Sequence, residues 1–177
     1  MTELTPKPAE TTRLADKFVS YIITRIAKDT GAAAALKRAD NPALEYQSWE
    51  HLAQFIDIDK DFIRLPYATI AAAIAKAKAE HNGNVRIGAA IARCYDDGIH
   101  NDQAQAKLRR LLACESVDEA CRVLRPLFSL ITAKASIHLD YADLLQDLSW
   151  FHTNNPRVKA KWAQNFYRQT DTEEDGQ

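Results

Sequence analysis

Apolar residues recur along this chain at three- and four-residue steps, and no other feature constrains its fold as much. Between Thr12 and Lys28, the residues Leu14, Phe18, Tyr21, Ile22 and Ile26 share one face of a helix with 3.6 residues per turn. Composition agrees with that period. Alanine is abundant, glycine numbers only 5 in 177 residues, and runs of β-branched residues are almost absent. With 46% hydrophobic residues the chain can bury a core. The expectation is an all-α protein of two packed helical bundles with no sheet.

The helices can be placed from their punctuation. The first is expected to end near Gly31, and GAAAALKRA forms a short helix stopped by Asn41-Pro42. A third spans Tyr46 to Ile56 and buries Trp49, Leu52 and Phe55 or Ile56. Leu65 to Ala79 follows with Pro66 in its first turn, then Val85 to Tyr95 after Gly83. Asn101 or Asp102 caps a helix reaching about Cys114. Ser116 and Glu119 have the spacing of a capping box that starts the next helix at Val117. Pro126 predicts a kink or restart inside it. Asp140 caps YADLLQDLSWF, and Asn155-Pro156 opens a last helix burying Val158, Trp162 and Phe166. A boundary near Gly98 to Asn101 divides residues 10–98 from 99–169.

Several function classes are set aside at this stage. No apolar stretch reaches the roughly 18 to 20 residues that cross a bilayer, and the start MTELTPKPAE does not read as a signal peptide, so a cytoplasmic location is expected. Cys94, Cys114 and Cys121 are odd in number and lack a C-x-x-C pair, and read as core residues. Asp57, Asp59 and Asp61 alternate like the start of a calcium loop, but Phe62 and Ala68 stand where such a loop needs glycine and glutamate. The five histidines form no H-E-x-x-H pair, and no nucleotide-binding loop is present. Asp96, Asp97 and Asp102 flank a glycine turn; a metal-dependent nuclease built on them is the weaker alternative to local turn bonding. Cys94 and His100 are residue types of a nucleophilic site, with nothing to bring them together. No cofactor is implied.

Charge is more informative. The chain carries a formal −1, yet its last eight residues, TDTEEDGQ, hold four acids and no base, so residues 1–169 sum to +3. From Arg157 to Arg168 there are four bases and no acid. In KLRRLLACESVDEACRVLRPL, residues 107–127, the leucines Leu108, Leu111 and Leu112 centre a buried face. That leaves Arg110 opposite and Lys107 and Arg109 on the flanks. In the following helix Cys121, Leu124, Phe128 and Ile131 face inward, so Arg122 points outward and Arg125 lies at the edge. Arg157, Lys159, Lys161 and Arg168 repeat the arrangement. Arginine forks suit phosphate oxygens, so the surface fits a nucleic-acid backbone bound without sequence preference. No helix-turn-helix, zinc-finger or aromatic RNA-binding motif is present to read bases.

GAAAALKRADNPA, KLRRLLACESVDEACRVLRPL, LDYADLLQDL and VKAKWAQNFY, in this order, resemble the CasB (Cse-type) small subunit of Cascade, the type I-E CRISPR surveillance complex. The resemblance runs from about Asp16 to Arg168, and its specificity lies in the ordered set. It implies an all-α protein without catalytic activity, two copies of which lie head to tail in the complex. Expected partners are guide RNA, target DNA and the displaced single strand, the CasC backbone subunits, the large CasA subunit and a second CasB; no membrane is involved. The resemblance adds Lys37 and Arg38, with Arg93 as a weaker candidate, to Lys107, Arg109, Arg110, Arg122, Arg125, Arg157, Lys159, Lys161 and Arg168. The acidic residues 170–177 fall outside it and are expected to be disordered. A protein-only structural adaptor is the alternative reading.

Overall fold

A computed structural model describes residues 8–168; the acidic tail lies outside the described residues. The helices are α1 (Pro8–Lys28), α2 (Thr30–Lys37), α3 (Trp49–Leu52), α4 (Asp61–Ala77), α5 (Ile87–Arg93), α6 (Asp102–Leu112), α7 (Val117–Thr132) and α8 (Tyr141–Tyr167). Short 3-10 turns occupy Glu45–Ser48 and Gly98–His100. Among the described residues there is no strand, and the fold is all-α; one isolated parallel bridge joins Val85 to Leu139.

Helix α4 forms the axis. Every residue from Pro66 to Ala75 is buried, so it is apolar all round rather than on one stripe. Its alanines let α1, α2, α7 and α8 pack around it. The core cluster is continuous through both halves of the sequence, from Phe18 and Ile22 of α1 to Leu124 of α7 and Trp162 of α8.

Helix α8 folds back on itself at Asn154 (φ −151, ψ 58). In a straight helix residues 143 and 161 would be about 27 Å apart, yet Lys161 Nζ donates to Asp143 Oδ1 at 2.8 Å. Phe151 and Trp162 stack with centroids 5.7 Å apart. The two arms, residues 141–153 and 155–167, therefore form a helical hairpin, whose second arm opens where the Asn155-Pro156 signal predicts a new helix. The second arm lies tight on α5: a Cβ added to Gly88 would stand 2.2 Å from the Trp162 carbonyl oxygen. Gly83 is equally confined, since a Cβ there would meet the His138 carbonyl oxygen at 1.9 Å.

The predicted caps form. Asn101 accepts from the amides of Gln103 and Ala104, Ser116 from Glu119, and Asp140 from Asp143. The Glu119 carboxylate accepts from the Glu115 amide at 2.8 Å, one residue before the position a standard box uses.

Other boundaries differ from expectation. The α1–α2 break falls at Asp29, whose side chain accepts from the Ala32 amide, and Gly31 lies inside α2. The third helix shrinks to a 3-10 turn and the single turn of α3, because Tyr46 is exposed and supplies no anchor to the core. Helix α4 starts at Asp61, which puts Pro66 inside it; the carbonyl that proline leaves without a partner belongs to Phe62, in an exposed first turn. Helix α7 runs through Pro126 without restarting. Val85 is taken by its bridge, which delays α5 to Ile87.

Candidate nucleic-acid interface

The cations fall into three groups set by the helices that carry them. The first surrounds the α6–α7 joint. Leu108 and Leu111 are buried, so Arg109 and Arg110 are exposed, while Lys107 is half-buried. Among the described residues no carboxylate lies within ion-pair distance of Arg109, Arg110, Arg157 or Arg168. The buried Cys114 thiol is pushed up by burial and by Glu119, against the fields of Lys159, Arg110 and Arg122. Three cations from three elements therefore converge on one joint. Acids are interleaved with them: Arg122 pairs with Asp118 at 2.7 Å and Lys159 with Glu115 at 3.5 Å. The exposed Arg122–Asp118 pair is worth about 1 kcal/mol or less and gives way to a stronger anion, whereas Lys159 is partly buried, its ammonium 6.0 Å from the centroid of the Phe151 ring.

The second group lies where α2 and α4 end. A groove of about 610 Å³ is lined by Lys37, Arg38 and Lys78 over a floor that includes Ala33, Ala34 and Ala75, with Glu80 at one side. Arg38 Nη1 donates to Gln47 Oε1 at 3.0 Å. Lys78 caps α4 in the left-handed region (φ 51, ψ 44), which favours glycine. Nearby, Asp40 accepts from Lys76 at 2.7 Å and stands 3.9 Å from Arg125 Nε. Arg125 is thus drawn inward at the end of α2 rather than joining Arg122.

The third group is a cleft of about 160 Å³ between α5 and the end of α8, lined by Arg86, Arg93 and Arg168 with Asn84, Ala89 and Asn165. Arg86 escapes a reading of the sequence that follows contiguous basic clusters. The signal was its spacing from Arg93 in RIGAAIAR, seven residues or about two helical turns. Lys78 is missed because the KAK pair it forms with Lys76 lies at the end of an apolar alanine-rich run, outside the basic clusters.

Lys161 is placed otherwise than the sequence predicts. Its ammonium lies between Asp143 (2.8 Å) and Asp147 (2.6 Å), and Asp147 also accepts from Trp162 Nε1 at 2.9 Å. Burial pulls the Lys161 pKa down, but the two carboxylates outweigh it and hold the ammonium protonated. The side chain joins the arms of the α8 hairpin.

Among the described residues no group of three His, Cys, Asp or Glu is arranged to hold a metal. Asp61 of the alternating aspartates pairs with Arg64 at 2.7 Å. All three cysteines are free and buried, and burial pushes the Cys121 thiol up to about 11. No helix among the described residues is long and apolar enough to cross a membrane.

Residues 32–167 match the family model of the CRISPR-associated protein Cse2. The chain belongs to the Cse2 family. Similar folds appear among solved structures. A chain of a CRISPR RNA-guided surveillance complex superposes with a TM-score of 0.74 at 21% identity, over 89% of this chain and 94% of that one. A CRISPR-associated protein of the Cse2 family from Thermus thermophilus gives 0.71 at 19% identity, over 86% and 97%. CasB from M. ruber gives 0.72 at 22% identity, over 88% and 93%. No curated protein matches the sequence. The Cse2 match begins at residue 32 and so takes in the Lys37 groove, the α6–α7 joint and the α8 hairpin, whereas α1 precedes it.

Proposed function

We propose that this Cse2 chain is the small subunit of a CRISPR RNA-guided surveillance complex and holds nucleic-acid backbones by their phosphates, performing no chemistry itself. The observation that carries the reading is the outer side of α6. Arg109 and Arg110 are exposed there with no carboxylate in reach among the described residues, beside further cations at the α6–α7 joint. Guide RNA, target strand and displaced strand are the ligands, and CasA, CasC and a second copy are the neighbouring subunits. Cytoplasm is the compartment. Exchanging one duplex for a guide–target hybrid is nearly balanced in free energy, so a few kcal/mol of backbone contact decides whether the opened state persists.

The second reading is a protein-only adaptor. It is favoured by the Arg122–Asp118 and Lys159–Glu115 pairs, in which carboxylates already serve as the partners. A salt titration of single-stranded DNA binding separates the two. Backbone binding gives log Kobs falling steeply with log salt, by about 0.7 per phosphate contacted, and a shallower slope in Arg109→Ala/Arg110→Ala. Weakened binding without a change of slope counts against backbone binding through these arginines, and no binding by the unsubstituted chain supports the adaptor.

A further inference from the structure

Two histidines outside the basic surfaces stand side by side. His81 and His138 are both exposed, and their ring centroids lie 5.2 Å apart with the planes tilted by 39°. They belong to segments far apart in sequence, one between α4 and α5 and the other between α7 and α8, and backbone bonds hold those segments together. The Gly83 and Val85 amides donate to the carbonyls of Leu139 and His138, and the Asp140 amide donates to that of Val85. Asn82 reinforces the contact: its side chain donates to Asp140 Oδ1 and accepts from the Tyr141 amide, each at 2.8 Å. Gly83 is pressed on the His138 backbone, where no side chain could fit. The spacing of the two rings is thus set by the frame beneath them.

That spacing suits a shared metal ion. Zinc bonds imidazole nitrogen at about 2.0–2.1 Å, which puts each ring centroid roughly 3.2 Å from the ion, and at a tetrahedral angle two such centroids are about 5.2 Å apart. Among the described residues the hydrogen bonds and ion pairs made by histidine rings are those of His51, so the rings of His81 and His138 are uncommitted. Asp140 is engaged by Asn82 and by the cap of α8, so the chain supplies two ligands and leaves the remaining positions to water. We propose that His81 and His138 together bind one divalent transition-metal ion of the kind that prefers imidazole, such as zinc, copper or nickel. Calcium and magnesium, which take oxygen ligands, are excluded by the same chemistry. The ion ties the α4–α5 connection to the α7–α8 connection. The site uses no residue of the nucleic-acid reading and stands or falls apart from it.

Calorimetric titration of the full chain with zinc chloride at neutral pH, with thermal unfolding as a second readout, tests it. The three cysteines are buried and do not compete for the ion. The unsubstituted chain should bind one zinc, and zinc at about 100 times its Kd should raise the melting temperature by about 5 °C, since the paired site exists only in the folded state. His81→Gln and His138→Gln should each lose both the binding and the shift. His100→Gln, at another exposed histidine, should keep both, and magnesium should have no effect on any of them. Melting curves without metal that match the unsubstituted chain confirm that the variants fold. Zinc binding that persists in His81→Gln and His138→Gln overturns the site, and so does an absence of zinc binding by the unsubstituted chain.

Discussion

At the scale of single residues, the same side-chain type serves opposite ends according to what folds beside it. Lys161 and Arg110 both occupy positions that a helical wheel leaves outside the core, yet one is held by two carboxylates and the other has none within ion-pair distance among the described residues. The difference is Asp147, which burial pushes up to about 6 even though the Lys161 ammonium opposes that shift. A carboxyl raised from its ordinary 3.8 contributes stability that is fully present below pH about 4 and is lost as pH rises through about 6. At 1.36 kcal/mol per unit the loss is roughly 3 kcal/mol. Asp147→Asn keeps an acceptor for Trp162 Nε1 and removes the titration. Its stability relative to the unsubstituted chain should therefore improve between pH 4.5 and pH 7.5, as read from urea midpoints at the two values. An equal difference at both would show that Asp147 does not titrate in this window. None of this was legible in VKAKW, because the acids that claim Lys161 lie on the other arm of a hairpin. Arg122 and Arg125 make the same point: three residues apart, one meets Asp118 on its own helix and the other Asp40 at the end of α2.

At the scale of elements, signals that act within a few residues could be read and those that need a distant partner could not. Asn101, Ser116 and Asp140 cap their helices because a cap needs only the next three residues. The break before Pro156 was legible for the same reason. The third helix was overdrawn because its apolar positions Tyr46, Phe55 and Ile56 match the period without sharing a buried face. The three-arginine cleft needs α5 laid against α8, which no local pattern states. One element carries a tension between stability and use. Lys78 ends α4 in a left-handed conformation that glycine adopts without strain, while its side chain lines the basic groove. Lys78→Gly should raise stability by about 1 kcal/mol in denaturant unfolding. The same variant should weaken single-stranded DNA binding. A variant that is stabilised and binds as before would remove Lys78 from the interface.

At the scale of the whole molecule, a net charge of −1 conceals three separate basic surfaces on a helical frame built around α4. The frame explains why basic side chains from distant parts of the sequence meet: α6, α7 and the second arm of α8 bring Arg110, Arg122 and Lys159 to one joint, and α5 with the same arm makes the cleft. All-α architecture and family were legible because helical period and ordered segments extend over most of the chain. The grouping of cations was not, since it depends on packing. The central claim is that this subunit holds phosphates in an assembled complex. Its most direct test is permanganate footprinting of the displaced strand in a reconstituted surveillance complex with target DNA bound, comparing the unsubstituted subunit with Arg109→Ala/Arg110→Ala. The account predicts that both assemble and that thymines protected with the unsubstituted subunit become reactive with the variant. Equal protection in the two complexes would contradict it.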